Sequence, residues 1–126
     1  MATEELVALL RQGAQAWNAW RAEHREAPVD LSGAALRGLD LSGADLAGAD
    51  LRGADLRGAL LSETNLAGTR LQDANLFKAV LDGADLERAE LSGARFVHCA
   101  QLQTARHWQS AFRDDDLACG AAIPSR

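Results

Sequence analysis

The amino-acid sequence predicts an all-β solenoid, a coil of stacked turns around an internal column of leucines, and three observations carry that prediction. From Val29 to His98 the chain divides without insertion into fourteen blocks of five residues. The middle residue is Leu31, Leu36, Leu41, Leu46, Leu51, Leu56, Leu61, Leu66, Leu71, Leu76, Leu81, Leu86 and Leu91, and in the last block Phe96. A period of five matches neither the 3.6 of a helix nor the 2 of a strand, so only a turning path keeps these side chains on one axis. The residue two before the centre is Ala in ten blocks, and Val29, Leu39, Thr64 or Thr69 in the others. A small residue beside each Leu suits a narrow interior with room for one large side chain per block. Gly closes nine blocks, where a corner calls for an unusual backbone angle.

Residues 3–25 read as a helix in front of this coil. Thr3 is placed to cap it, Glu4 and Glu5 lie in the first turn where the helix dipole favours acids, and Leu6, Leu9, Leu10, Trp17 and Trp20 recur near helical spacing. Gly13 weakens it midway. The open end of a solenoid exposes its last ring of leucines and its unpaired strand edges, so this helix is expected to cover Leu31, Leu36, Leu41 and Leu46. Pro28 marks the hand-over to the coil over 29–98.

The register breaks after Phe96, because the next large apolar residue, Leu102, comes six positions later. Leu102, Ala105, Trp108 and Phe112 then follow at helical spacing and predict a second covering helix over Leu81, Leu86, Leu91 and Phe96, although positions 102, 107, 112 and 117 also fit a worn continuation of the five-residue period. Asp114 to Asp116 start a final short turn through Leu117, and Gly120 and Pro124 punctuate a fraying tail within the segment 99–126.

A length of 126 residues, 48% hydrophobic content and a net charge of −5 fit a single domain over 1–126. The opening is acidic where a secretory signal is basic, and no apolar run approaches the ~20 residues that span a bilayer, so the reading is cytoplasmic, with no membrane partner. Cys99 and Cys119 are too few for a disulfide framework and lack metal-ligand spacing; they are expected as small buried or half-buried thiols.

The A(D/N)LxG blocks, clearest at Ala44-Asp45-Leu46, Ala49-Asp50-Leu51, Ala54-Asp55-Leu56 and Ala84-Asp85-Leu86, resemble the pentapeptide repeat family. The resemblance implies a right-handed quadrilateral β-helix with four blocks per turn, hence about 3.5 turns and a rod of roughly 17 Å at ~4.8 Å between strands. The leader WNAWRAEH and the segment QLQTARHWQSAF are also similar to the ends of family members. Some members resemble B-form DNA in shape and charge and bind type II topoisomerases such as DNA gyrase as protectors or inhibitors. Such a mimic needs long acidic tracks, which Arg37, Arg52, Arg57, Arg70, Arg88 and Arg95 interrupt here, and a longer rod. Topoisomerase binding is therefore the second reading.

With residues twenty apart taken as stacked neighbours, residues 29–98 carry eleven acids and seven bases, and position by position neither sign owns a face. Leu60 and Val80 on the third face, and Phe77 and Val97 on the second, replace polar residues and mark a possible interaction edge, either covered by a terminal helix or open to a partner. Direct nucleic-acid binding is disfavoured by the negative charge and by a single lysine, Lys78. Enzyme chemistry, metals and cofactors find no footing. His24, His98 and His107 lie in separate segments, Ser32, Ser42, Ser62 and Ser92 have no base beside them, and no phosphate-binding or dinucleotide-binding glycine motif is present. The first reading is a non-catalytic scaffold or interaction module that binds a protein partner or itself.

Overall fold

The computed structural model describes residues 3–126. From Asp30 onward the chain winds into a four-sided coil held by parallel bridges between residues twenty apart. The first face stacks Asp30, Asp50, Arg70 and Glu90; the second Ala35, Asp55, Asn75 and Arg95; the third Asp40, Leu60 and Val80; the fourth Asp45, Asn65 and Asp85. Each rung is joined to the next by a ladder of backbone hydrogen bonds. Leu31 N–H donates to the Asp50 carbonyl at 2.8 Å, Gly33 N–H to Arg52 at 2.8 Å, and Asp50 N–H returns to Val29 at 2.9 Å.

The thirteen central leucines are each no more than 2% exposed, and the alanines beside them are buried except Ala94, which is half-buried. Thr64 and Thr69 take the alanine position at no cost in lone hydroxyls, since their Oγ1–H groups donate to the carbonyls of Leu41 and Leu66, both at 2.8 Å. The corner residue is left-handed in every block from Gly33 to Gly93, with φ between +55° and +76°. Glycine adopts this angle freely, whereas Glu63, Asp73, Lys78 and Arg88 are bent into it by the stacked turns around them.

The helix read over 3–25 is two helices, α1 (Thr3–Arg11) and α2 (Ala14–Glu23), divided at Gly13, whose φ of +105° no helix accommodates. Leu6, Leu10 and Trp17 are buried in the same cluster as the leucine column, and Leu9 and Trp20 pack half-buried against it. Polar side chains finish the contact. The Thr3 hydroxyl donates to the Asp30 carbonyl at 2.9 Å and the Trp17 indole N–H to the Asp45 carbonyl at 2.7 Å. Asn18 donates to the Gly43 carbonyl at 3.0 Å and accepts the Asp45 N–H at 2.7 Å. These bonds take the place of the turn that the first turn lacks.

Three expectations fail at the other end. Phe96, assigned to the core, is 61% exposed. Its φ is +59°, the left-handed corner two residues early, and this turns its side chain outward. The second long helix is absent: α3 (Cys99–Leu102) has four residues, and single 3-10 turns follow at Trp108–Ser110 and Asp115–Leu117. Instead the coil resumes, with Arg106 bridging to Asp85 and Phe112 to Glu90, twenty-one and twenty-two residues on. The small buried Ala105 and Ala111 precede these two residues as alanines do in the regular blocks, so the coil continues, but not in the register of 102, 107, 112 and 117: His107 is exposed, and Phe112 stands at the bridging position before a centre. Leu102 and Phe112 are buried and Trp108 is half-buried against the core.

The third failure concerns the thiols. Cys99 and Cys119 form a disulfide with Cα atoms 5.5 Å apart. It ties the start of α3 to the tail. Between them Arg113 is buried, and its guanidinium donates to the carbonyls of Gln109, Ala111, Leu117, Ala118 and Ala122 at 2.9–3.1 Å. Burial pushes its pKa down, yet every bond it makes suits the cation. One side chain thus gathers the carbonyls of the irregular C-terminal segment.

Candidate functional site

Function on such a rod rests on outward positions, and the residue just before each leucine is the most regular of them. Its side-chain oxygen accepts the N–H two residues on: Asp30 from Ser32, Asp40 from Ser42, Asp50 from Arg52, Asn65 from Ala67, Asn75 from Phe77 and Asp85 from Glu87, all within 3.0–3.1 Å. The Asp/Asn preference is therefore turn chemistry, a short side chain mimicking a backbone turn.

Two of these carboxylates are further neutralised within their own block. Arg52 forks onto Asp50 at 2.9 and 2.7 Å, and Arg57 onto Asp55 at 2.8 and 2.7 Å. The Arg57 hydrogen bond dominates over a smaller opposing effect of burial and holds the Asp55 carboxyl well down, at about 2. On the first face Arg70 lies between Asp50 and Glu90 in the stack.

The three histidines lie apart from one another. His24 stacks on Trp20 at 4.7 Å with Nδ1 on the Trp20 carbonyl, and His98 caps α3. His107 Nδ1 pairs with Asp85 at 2.9 Å, and Glu87 completes a trio of metal-capable atoms within 4.8 Å. The trio is exposed or half-exposed, and the His107–Asp85 bond already engages two of its groups. Ser32 and Ser92, expected to have no base beside them, donate to Asp30 at 2.6 Å and to Glu90 at 2.5 Å, each to the carboxylate two residues before it in its own block.

The apolar surface is more localised. Leu60 is 40% exposed on the third face above Asp40 and below the half-buried Val80, and Phe77 is 47% exposed on the second. Among the described residues no terminal helix buries Leu60 or Phe77. Val97, grouped with them from the sequence, is half-buried against the core, while Phe96 joins Phe77 edge to face at 5.9 Å between ring centres. Lys78 Nζ sits 5.3 Å from the Phe77 ring centre. Sequence reasoning missed Phe96 because a Phe at a leucine position reads as core; only its place in the last regular block hinted otherwise. It missed the Cys99–Cys119 pair as well, although their separation of twenty residues equals one turn of the coil.

Among the described residues no helix is long and apolar enough to cross a membrane. No curated protein matches the chain significantly. Among solved structures, the chain is similar to the pentapeptide repeat protein alr5209 from Nostoc Pcc 7120, at 30% identity over 77% of this chain and 84% of that one, with a TM-score of 0.32. It is also similar to the pentapeptide repeat protein Rfr23 from the cyanobacterium Cyanothece 51142, at 31% identity over 71% and 63% of the two chains and a TM-score of 0.26. QnrB1, a plasmid-mediated fluoroquinolone resistance protein, matches at 16% identity over 76% and 45%, with a TM-score of 0.33. The family model for pentapeptide repeats matches residues 29–62 and 59–97 in eight copies. With that match covering more than half of the sequence, and with its bridges spaced at four blocks of five, the chain belongs to the pentapeptide repeat family.

Proposed function

We propose that this protein is a non-catalytic interaction module that binds a protein partner or a second copy of itself through the side of its rod. The observation that carries the reading is the exposure of Leu60, Phe77 and Phe96 on a coil whose other large apolar side chains are buried or half-buried. The helices α1 and α2 and the disulfide-tied C-terminal segment serve as end covers, which keep the first and last rungs from pairing with other chains. The dispersal of His24, His98 and His107 supports a role without catalysis. Light scattering behind size exclusion, at several concentrations, tests the reading. Self-association or partner binding that is lost in a folded Phe77→Ser/Leu60→Ser variant supports it, and a variant that behaves as wild type in every binding assay contradicts it.

Topoisomerase binding by DNA mimicry is the weaker reading. Pairing of Asp50 with Arg52 and of Asp55 with Arg57, and the insertion of Arg70 in the first-face stack, interrupt the acidic tracks that imitation of phosphates requires. A gyrase supercoiling assay with the purified protein decides it. The cytoplasmic reading stands against the Cys99–Cys119 bond, which favours an oxidising environment. Thiol counting on protein isolated under alkylating conditions separates the two: free thiols support the cytoplasm.

A further inference from the structure

Counting whole blocks by face overturns the impression that neither sign owns one. The second face, residues 34–38, 54–58, 74–78 and 94–98, carries Arg37, Arg57, Lys78 and Arg95 against the single acid Asp55, a balance of +3 in a chain of net charge −5. The neighbouring third face, residues 39–43, 59–63 and 79–83, carries Asp40, Glu63 and Asp82 and no base, a balance of −3. Reading one position at a time conceals this, because the cations occupy three different places in the block: after the centre at 37 and 57, at the corner at 78, and before the centre at 95.

The fold gathers them. Arg37, Arg57, Phe77 and Lys78 line one shallow groove, and Asp55, Asn75 and Arg95 line a second that shares Arg57 with the first. Asp55 is already matched to Arg57, and among the described residues Arg37, Lys78 and Arg95 form no ion pair. The exposed aromatic pair Phe77–Phe96 stands on the same face. Cations outside any ion pair therefore flank an apolar platform, on a molecule that is otherwise acidic.

We propose that the second face docks an extended, acidic segment of a partner protein, its carboxylates on Arg37, Lys78 and Arg95 and one apolar side chain on the Phe77–Phe96 pair. The proposal rests on the interaction-module reading and gives that module a ligand class. Size selects the occupant. Four rungs at ~4.8 Å spacing make a column of about 14 Å, the length of four or five extended residues. Such a strip falls well short of the roughly 800 Å² per partner of a stable protein–protein interface, so a second copy bound here makes only a weak contact. Charge selects it as well. A polyphosphate strand carries its charge past the face and meets the acids on the other three, whereas a short peptide senses the local field within a Debye length of about 8–10 Å.

Fluorescence anisotropy on the full chain tests this with labelled octapeptides alternating Glu and Leu, Lys and Leu, or Glu and Ser, and with single-stranded oligothymidylate. The Glu/Leu peptide is expected to bind, to weaken with salt, and to lose roughly tenfold in affinity to Lys78→Glu/Arg95→Glu and to Phe77→Ser. The Lys/Leu peptide is expected not to bind, and Glu/Ser to bind less well. Glutamate is compatible with both substituted positions, since Glu63 occupies the left-handed corner of its block, as Lys78 does, and Glu90 the bridging position before its block's centre, as Arg95 does. Equal binding of Lys/Leu, tighter binding of oligothymidylate, or full binding by the charge-reversed variant overturns the proposal. If Glu/Leu does not bind wild type but light scattering still shows self-association that Leu60→Ser abolishes, the interaction reading stands and this ligand class falls. Silence in both assays removes both.

Discussion

At the scale of single residues, Leu61 and Phe96 mark what a five-residue period does and does not determine. Leu61 is fully buried in the middle turn, where a carboxylate finds no partner, so Leu61→Asp is expected to abolish the cooperative far-UV melt. A folded, monodisperse variant contradicts the register. Phe96 holds the same place in its block, yet a left-handed backbone angle points it to solvent, and no local sequence pattern records that angle. The leucine column was legible because burial forces one residue type at one spacing. The exposed ring was not, because it depends on how the coil ends. Asp55 supplies a test in pH. Its carboxyl, held at about 2 instead of the usual 3.8 by Arg57, contributes stability that is complete above the ordinary carboxylate range and is lost as pH falls through 2. The pair is partly solvent-exposed, so the effect on the melt is expected to be shallow. A carboxyl-carbon NMR titration is expected to give a midpoint near 2, and a midpoint near 3.8 contradicts the fork seen with Arg57.

At the scale of elements, the two ends of the rod solve one problem by different means. On the N-terminal side α2 lays Trp17 and Asn18 on backbone groups of the first turn, so that a side-chain amide stands in for the missing strand. Asn18→Ala leaves the Asp45 N–H without its acceptor and is expected to cost about 1–3 kcal/mol in urea unfolding; a change within error removes the substitute-strand account. The apolar spacing of Leu6, Leu10 and Trp17 announced a helix on this end, whereas Asn18 gave no sign, since an exposed amide between two tryptophans reads as surface. On the C-terminal side the chain uses a short helix, inserted residues, the Arg113 hub and a disulfide. There the helical spacing of Leu102, Ala105, Trp108 and Phe112 misled, because the four fill unrelated places: Leu102 ends α3, Ala105 takes a narrow interior position, Trp108 opens a 3-10 turn and Phe112 bridges to Glu90. Closing a loop of twenty residues, the Cys99–Cys119 bond is expected to contribute about 2–4 kcal/mol. Cys99→Ser/Cys119→Ser protein unfolding at an unchanged urea midpoint contradicts that contribution.

At the scale of the whole molecule, the four-sided coil acts as a sorter of side chains. Because residues twenty apart share a face, a sequence of mixed sign yields one face of balance +3 beside another of −3. Neither the overall charge of −5 nor any local run of residues displays that division. The rod's rigidity matters as much as its charge. Groups on successive rungs are held at strand spacing before any partner arrives, so little side-chain platform has to be ordered on binding. The central claim is that recognition belongs to the second face, and amide chemical-shift mapping of the labelled protein, titrated with the Glu/Leu octapeptide, tests it most directly. Shifts confined to residues 34–38, 54–58, 74–78 and 94–98 are the predicted result; shifts centred on the third face around Leu60 and Val80, or scattered over the rod, contradict it.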